Sequence, residues 1–142
     1  MSKSTAKSNL AELHKFLKQY PDTQEMEIII GDINGIIRGK SIRSNEFESI
    51  FRDGFSIPGS LVLLDTLGQT IPDIKWSSDD GDPDTGAHII NGSLAPIPWS
   101  KKPSAQVLFE FDDINSKPFF GEPRAVLRRT LSKIKEVAPT VV

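Results

Sequence analysis

Apolar residues along this chain fall into two periods. Leu10, Leu13, Phe16 and Leu17 recur at the spacing of one helical face. Asn9 with Glu12 fits a capping box, and Tyr20-Pro21-Asp22 ends the pattern. A short amphipathic helix is therefore expected over 9–19, behind a mobile tail over 1–8. The run from Met26 to Ile42 then reads as two apolar strands, 26–33 and 36–42, joined by Asn34-Gly35. Asn-Gly supplies the positive φ angles of a two-residue type I′ turn. The triplet Ile28-Ile29-Ile30 and the pair Ile36-Ile37 predict a hairpin covered on both faces.

The remaining pattern alternates short strands with two helices. Ser44 is placed to cap a helix carrying Phe47, Ile50 and Phe51, with Gly54 as its C-cap. Phe55 to Ser60 reads as a loop, Leu61 to Leu64 as a short strand, and His88-Ile89-Ile90 as another. Two prolines in Ala95-Pro96-Ile97-Pro98-Trp99 confine that piece to a sheet edge. Ala105 to Phe111 is the clearest later strand, with Val107, Phe109 and Phe111 on one face. Pro123 suits the first turn of a last helix, whose apolar side is Val126, Leu127, Leu131, Ile134 and Val137, and Pro139 stops it. The order of helix, hairpin, helix, short strands and helix predicts an α+β domain with a mixed sheet.

Composition narrows the function classes. The 142 residues fit one domain and carry a net charge of -2, so no basic excess marks a nucleic-acid partner. There are no cysteines, which removes disulfides, thiolate metal sites and a cysteine nucleophile and fits a cytoplasmic setting. No apolar run is long enough to span a bilayer, and the N-terminus lacks the apolar core of a secretory signal.

Candidate chemistry is thin. Asp80, Asp82 and Asp84 begin a calcium-loop pattern that fails at Thr85, where glycine is needed, and at Asn91, where a glutamate belongs. Gly31-Asp32-Ile33-Asn34-Gly35 lacks the Gly-Lys-Ser/Thr ending of a phosphate loop. Arg38-Gly39-Lys40 reads as a solvated strand end, its glycine marking a bulge or a close backbone approach. Ser56 and Ser60 have no histidine placed to activate them, since only His14 and His88 are present. His14 reads as an exposed helix residue, and Trp76 and Trp99 as core or edge cover. These residues amount to an α+β domain without an active site of its own.

Several segments, in order, resemble the N-terminal domain of the glutamine synthetase family. They are Gly31-Asp32-Ile33-Asn34-Gly35-Ile36-Ile37-Arg38-Gly39-Lys40 with Ile42, the helix Phe47 to Gly54, Asp82-Pro83-Asp84, Ile97-Pro98-Trp99 and Pro123-Arg124-Ala125-Val126-Leu127. The resemblance implies a β-grasp (ubiquitin-like) domain over 9–122, a helix crossing a mixed sheet. It also implies that 123–142 forms a terminal helix and the start of a linker to an absent catalytic domain. On this reading the chain is part of a longer ATP-dependent glutamate–amine or glutamate–ammonia ligase. It holds no catalytic, cofactor or metal residues and is inactive alone. ATP with Mg²⁺ or Mn²⁺ would belong to the full-length enzyme.

The same resemblance implies partners and a site. The partners are the chain's own catalytic domain and neighbouring subunits of a homo-oligomeric ring, with neither nucleic acid nor membrane involved. The loop after the second helix would complete the neighbouring subunit's active site. Its residues here are Ser56, Gly59, Ser60 and Asp65, with Ser56 standing where ammonia-using members have an aspartate. That departure resembles the γ-glutamyl-amine ligases, the γ-glutamylputrescine synthetase branch among them. The alternative is a free-standing β-grasp interaction module, with self-assembly through bare strand edges as a third possibility.

Overall fold

A computed structural model describes residues 3–71, 81, 84–112 and 117–138. Its helices are α1 (Lys3–Gln19), α2 (Phe47–Asp53) and α3 (Pro123–Val137). Its strands are β1 (Glu25–Gly31), β2 (Ile37–Arg43), β3 (Phe55–Pro58), β4 (Asp84–Ile89), β5 (Ala95–Pro96) and β6 (Ser104–Phe111). The sheet order is β2-β1-β6-β4-β3. β1 and β6 run parallel and the other pairs antiparallel, so the sheet is mixed as expected. β5 pairs with Ala105 and Gln106, which also face β1, so it lies on the opposite edge of β6, ahead of β4.

β6 is the spine of the sheet. Its side chains alternate strictly, and Ala105, Val107, Phe109 and Phe111 are all buried. Met26, Ile28 and Ile30 of β1, Ala87 and Ile89 of β4 and Ile42 of β2 join them in the core. Leu13 and Phe16 of α1 and Phe47, Ile50 and Phe51 of α2 cover this face. Each such aromatic or branched side chain contributes about 1.5–3 kcal/mol on full burial, against about 0–1 kcal/mol for an exposed ion pair. The fold is therefore held by one face of the sheet under two helices.

Several local expectations are corrected. α1 begins at Lys3, six residues before the expected cap, so residues 3–8 are helix and not tail. Asn9 lies buried in mid-helix, where its amide donates to the Ile89 carbonyl at 3.3 Å. Glu12 caps nothing. Its carboxylate accepts from Asn91, Gly92 N–H and Leu94 N–H at 2.9, 2.7 and 3.1 Å, clamping α1 to the turn after β4. Ser44 sits inside a 3₁₀ turn over Ser44–Glu46 that precedes α2, and Glu46 accepts from Arg43 N–H. The expected loop over 55–60 is strand β3 and the start of a second 3₁₀ segment, Gly59–Leu63, which also replaces the strand expected over 61–64. Gly54 ends α2 as read, at φ 78°.

The hairpin is covered on one face only. Ile28 and Ile30 are buried, Ile29 is partly covered, and Ile37 is 61% exposed. Gly39 marks a close approach, as expected. A Cβ there would lie 1.9 Å from the Ile28 carbonyl oxygen, and its φ is +153°. Trp99, expected as cover, is 76% exposed. His14 is exposed as read and meets Glu48 at 3.1 Å. Trp76, Asp80, Asp82 and Pro139 lie outside the described residues.

Gly39→Ala is expected to lower unfolding stability by about 2 kcal/mol or more, because backbone must move to admit the methyl group. Gly31 has nothing within 4 Å of such a Cβ, so Gly31→Ala is expected to stay within about 1 kcal/mol of the parent. Urea unfolding of the two variants checks the contrast.

Candidate functional site

One end of the molecule is built from two copies of the same turn. In Asp32-Ile33-Asn34-Gly35-Ile36, Gly35 N–H donates to the Asp32 carbonyl (3.0 Å) and Asp32 N–H to the Ile36 carbonyl (2.9 Å). The Asp32 Oδ1 atom accepts from Asn34 N–H and Ile36 N–H, both at 2.8 Å. In Asp65-Thr66-Leu67-Gly68-Gln69 the pattern repeats, with Gly68 N–H on the Asp65 carbonyl (3.0 Å) and Asp65 N–H on the Gln69 carbonyl (2.9 Å). Asp65 Oδ1 accepts from Leu67 N–H and Gln69 N–H, again at 2.8 Å. Gly35 and Gly68 close the turns at φ 76° and 80°, a region glycine enters without a Cβ penalty.

The hairpin connection is thus longer than the expected two-residue turn. The last ladder pair is Gly31 with Ile37, and Ile33-Asn34 form the centre of a turn closed by left-handed Gly35. This is the three-residue loop with a glycine bulge. The Asp32 side chain selects it, because its oxygen takes the two amide hydrogens that the longer connection leaves unpaired.

Arg38 joins the two turns. Its Nε donates to Asp32 Oδ2 at 2.9 Å, and its Nη2 donates to the Asp65 carbonyl at 2.9 Å. Asn34 Nδ2 donates to the Leu64 carbonyl (2.8 Å) and Ile33 N–H to the Val62 carbonyl (3.1 Å), so the hairpin and its tip hold segment 62–65, the end of the 3₁₀ segment and the residues after it, at three points. The Asp32 side chain is completely buried and that of Arg38 is 18% exposed, which corrects the reading of Arg38 as a solvated strand end. Burial pushes the Asp32 carboxyl up, but hydrogen bonds from Ile36, Arg38 and Asn34, with the Arg38 charge, outweigh it and hold the group below the usual carboxylate range.

The four residues expected in the amine loop separate by role. Ser56 is an exposed member of β3, opposite Gly86 of β4. Gly59 and Ser60 are buried in the 3₁₀ segment, where a Cβ on Gly59 would meet Phe119 at 3.7 Å and Phe111 at 3.8 Å. Asp65 is half-buried. Its Oδ1 is spent on its own turn, while Oδ2 has no hydrogen-bond partner among the described residues. Beside it Leu67 is 81% exposed at the tip. Sequence reasoning missed the Asp32–Arg38 pair as an organising element. The repeated Asp-x-x-Gly spacing at 32–35 and 65–68 was the available signal.

A second charged cluster lies on the face of the sheet away from the core. Glu110 of β6 meets His88 of β4 at 3.4 Å and is hydrogen-bonded by Arg128 of α3. The bond from His88 holds the Glu110 carboxyl below its usual range against partial burial, and Arg128 adds to the effect. This trio ties α3 to the sheet. Among the described residues, no group of three or more His, Asp or Glu side chains is placed to hold a metal ion, and no helix is long and apolar enough to cross a membrane.

Because the folded-state pKa of Asp32 is depressed, its ion pair stabilises the fold above the ordinary carboxylate value of about 3.9 and ceases to do so as pH falls through the lower folded value. Asp32→Asn keeps an acceptor for the turn but points an amide at Arg38, and is expected to cost about 2–3 kcal/mol at pH 7. The gap between parent and variant should narrow as urea melts are moved from pH 7 towards pH 3. A gap independent of pH contradicts the assignment.

No family model matches the chain. It is 30% identical to gamma-glutamylputrescine synthetase PuuA of Escherichia coli (strain K12) over 125 residues, covering 88% of this chain and 26% of that protein. It is 25% identical to a glutamate–isopropylamine ligase of Pseudomonas sp over 134 residues, covering 92% of this chain and 28% of that one. Glutamine synthetase of Pyrococcus abyssi is 25% identical over 142 residues, 96% of this chain and 26% of that protein. Among solved structures, a glutamine synthetase of Plasmodium falciparum superposes with a TM-score of 0.63 at 20% identity, over 89% of this chain and 22% of that one, a likeness of fold. The chain thus spans about a quarter of the length of the relatives it matches. The chain's homologues are thus members of the glutamine synthetase family, and its mixed sheet with three helices is consistent with the architecture of that family's N-terminal β-grasp domain.

Proposed function

We infer that this chain serves as the N-terminal domain of an ATP-dependent ligase of the glutamine synthetase type that joins glutamate to an amine. The observation that carries this reading is the 30% identity, over 88% of the chain, to a gamma-glutamylputrescine synthetase. Similarity to a glutamate–isopropylamine ligase points to the same bond between glutamate and an alkylamine. The protein is read as cytoplasmic.

In this reading the domain acts by presenting the segment from Ser56 to Gln69 to the active site of a neighbouring subunit in a homo-oligomeric ring. In this reading ATP and the divalent cation, Mg²⁺ or Mn²⁺, belong to the rest of a longer protein. What this chain supplies is position. Asp65 Oδ2 is the carboxylate oxygen left open at the end of a rigid turn, placed to attract a substrate ammonium, with the exposed Leu67 beside it for the alkyl part. Ser56, Gly59 and Ser60 form the frame leading into that turn. An alkylamine is favoured over ammonia because position 56 offers a hydroxyl, not a carboxylate.

The 142-residue chain is expected to release no phosphate from ATP in the presence of glutamate, putrescine and magnesium. Turnover by the pure chain would sink the assignment of catalysis to another domain. In the longer protein that carries it, Asp65→Asn retains the Oδ1 acceptor of the turn and removes only the charge. It is expected to raise KM for the amine by about ten-fold while leaving KM for ATP unchanged. Equal KM for amine in parent and variant removes Asp65 from the site.

A further inference from the structure

The two Asp-x-x-Gly turns share a backbone and differ at one atom. The second oxygen of Asp32 is buried and takes a hydrogen bond from Arg38 Nε at 2.9 Å, whereas the second oxygen of Asp65 has no hydrogen-bond partner among the described residues. Every other polar atom of Asp65 is engaged. Its N–H donates to the Gln69 carbonyl, and its Oδ1 accepts from Leu67 N–H and Gln69 N–H. Its carbonyl accepts twice, from Gly68 N–H at 3.0 Å and from Arg38 Nη2 at 2.9 Å. Of these bonds, the one from Arg38 comes from outside the turn. The same guanidinium lies against Gly68, where a Cβ would stand 3.2 Å from Nη1. One planar group therefore braces both the first and the fourth residue of the second turn.

Charge adds a second argument. An uncompensated guanidinium beside Asp65 would draw its carboxylate inward and cancel the charge offered to a substrate ammonium. Asp32 prevents this by pairing with Arg38 one to one, at side chains 0% and 18% exposed. Arg38 thus lends direction to the Asp65 backbone without consuming the charge of its side chain. Lysine carries the same charge, but a single nitrogen on a flexible stem does not reproduce the fixed spacing of Nε and Nη2 that spans the two partners.

We infer that Arg38 is the positioning residue of the amine site, its charge cancelled by Asp32 and its fork aiming the Asp65 carboxylate from behind. The inference rests on the ligase reading for the amine and for the role of Asp65. Arg38 meets the backbone of the turn and not the substrate, so its effect passes through Asp65.

Two variants test this without leaving a bare charge buried. Arg38→Lys keeps the charge balance, and Asp32→Asn with Arg38→Met removes both charges while keeping the acceptor of the first turn. In the longer protein that carries this chain, each is expected to raise KM for putrescine about five- to ten-fold with KM for ATP unchanged. Added to Asp65→Asn, neither should raise KM for putrescine further, because the residue it acts through is already altered. In the 142-residue chain, both should speed hydrogen exchange at the Gly68 and Gln69 amides relative to those of β6. Parental KM for putrescine in Arg38→Lys, an equal rise in KM for ATP, additivity with Asp65→Asn, or unchanged exchange at both amides overturns the inference. If Asp65→Asn by itself leaves KM for putrescine unchanged, the ligase reading of this turn fails and the inference with it. If Asp65→Asn raises that KM and Arg38→Lys does not, the reading stands and the inference alone falls.

Discussion

A single buried carboxylate governs one whole end of the molecule. Left without partners, Asp32 would cost several kcal/mol to bury. It is tolerated because its two oxygens meet three donors, two from its own turn and one from Arg38. The same guanidinium then reaches the Asp65 carbonyl. The charge that shapes the hairpin therefore also sets where the second turn, Asp65 to Gln69, comes to rest. Each turn is shaped by its own aspartate, and Arg38 links the two, while Ile33, Ile37 and Leu67 around them stay exposed.

The core works on a different principle. β6 accepts partners on both edges and sends every second side chain inward, so two helices and four longer strands converge on it. Side-chain clamps fix the periphery to this centre: Glu12 holds α1 to the turn after β4, and Glu110 holds α3 to the opposite face. Packing makes the middle of the domain, and acids that each satisfy several donors make its ends.

Much of this was legible in the residues. The alternation from Ala105 to Phe111 named a half-buried strand, and Phe47, Ile50, Phe51 and Gly54 named a helix with its stop. What escaped had physical causes. Gly59–Leu63 is a short apolar run, and such runs do not reveal whether they extend or coil. Asn34-Gly35 suits a two-residue turn as well as the longer one, and the choice was made by a side chain two positions earlier. The isoleucines of the hairpin all looked like core residues, because residue type does not say which face of a strand the helices will cover. Of the expected site, the positions of Gly59 and Ser60 are explained by packing, and that of Asp65 by its turn. The bridging role of Arg38 was hidden because its second partner, Asp65, lies 27 residues away.

The parallel pairing of β1 with β6 has a kinetic side. Met26 lies beside Ala105, yet its other neighbour, Ile42, is close in sequence. The hairpin can close on the microsecond scale of local structure, whereas the spine requires closure of a loop several times longer. During synthesis β1 and β2 emerge well before β6 exists. Until then β1 presents a bare, isoleucine-rich edge, the kind of surface that recruits strands from other chains. Folding of this domain is therefore a race between the arrival of its own sixth strand and capture by a foreign one, and the isoleucines that make the finished core also set the stakes of that race.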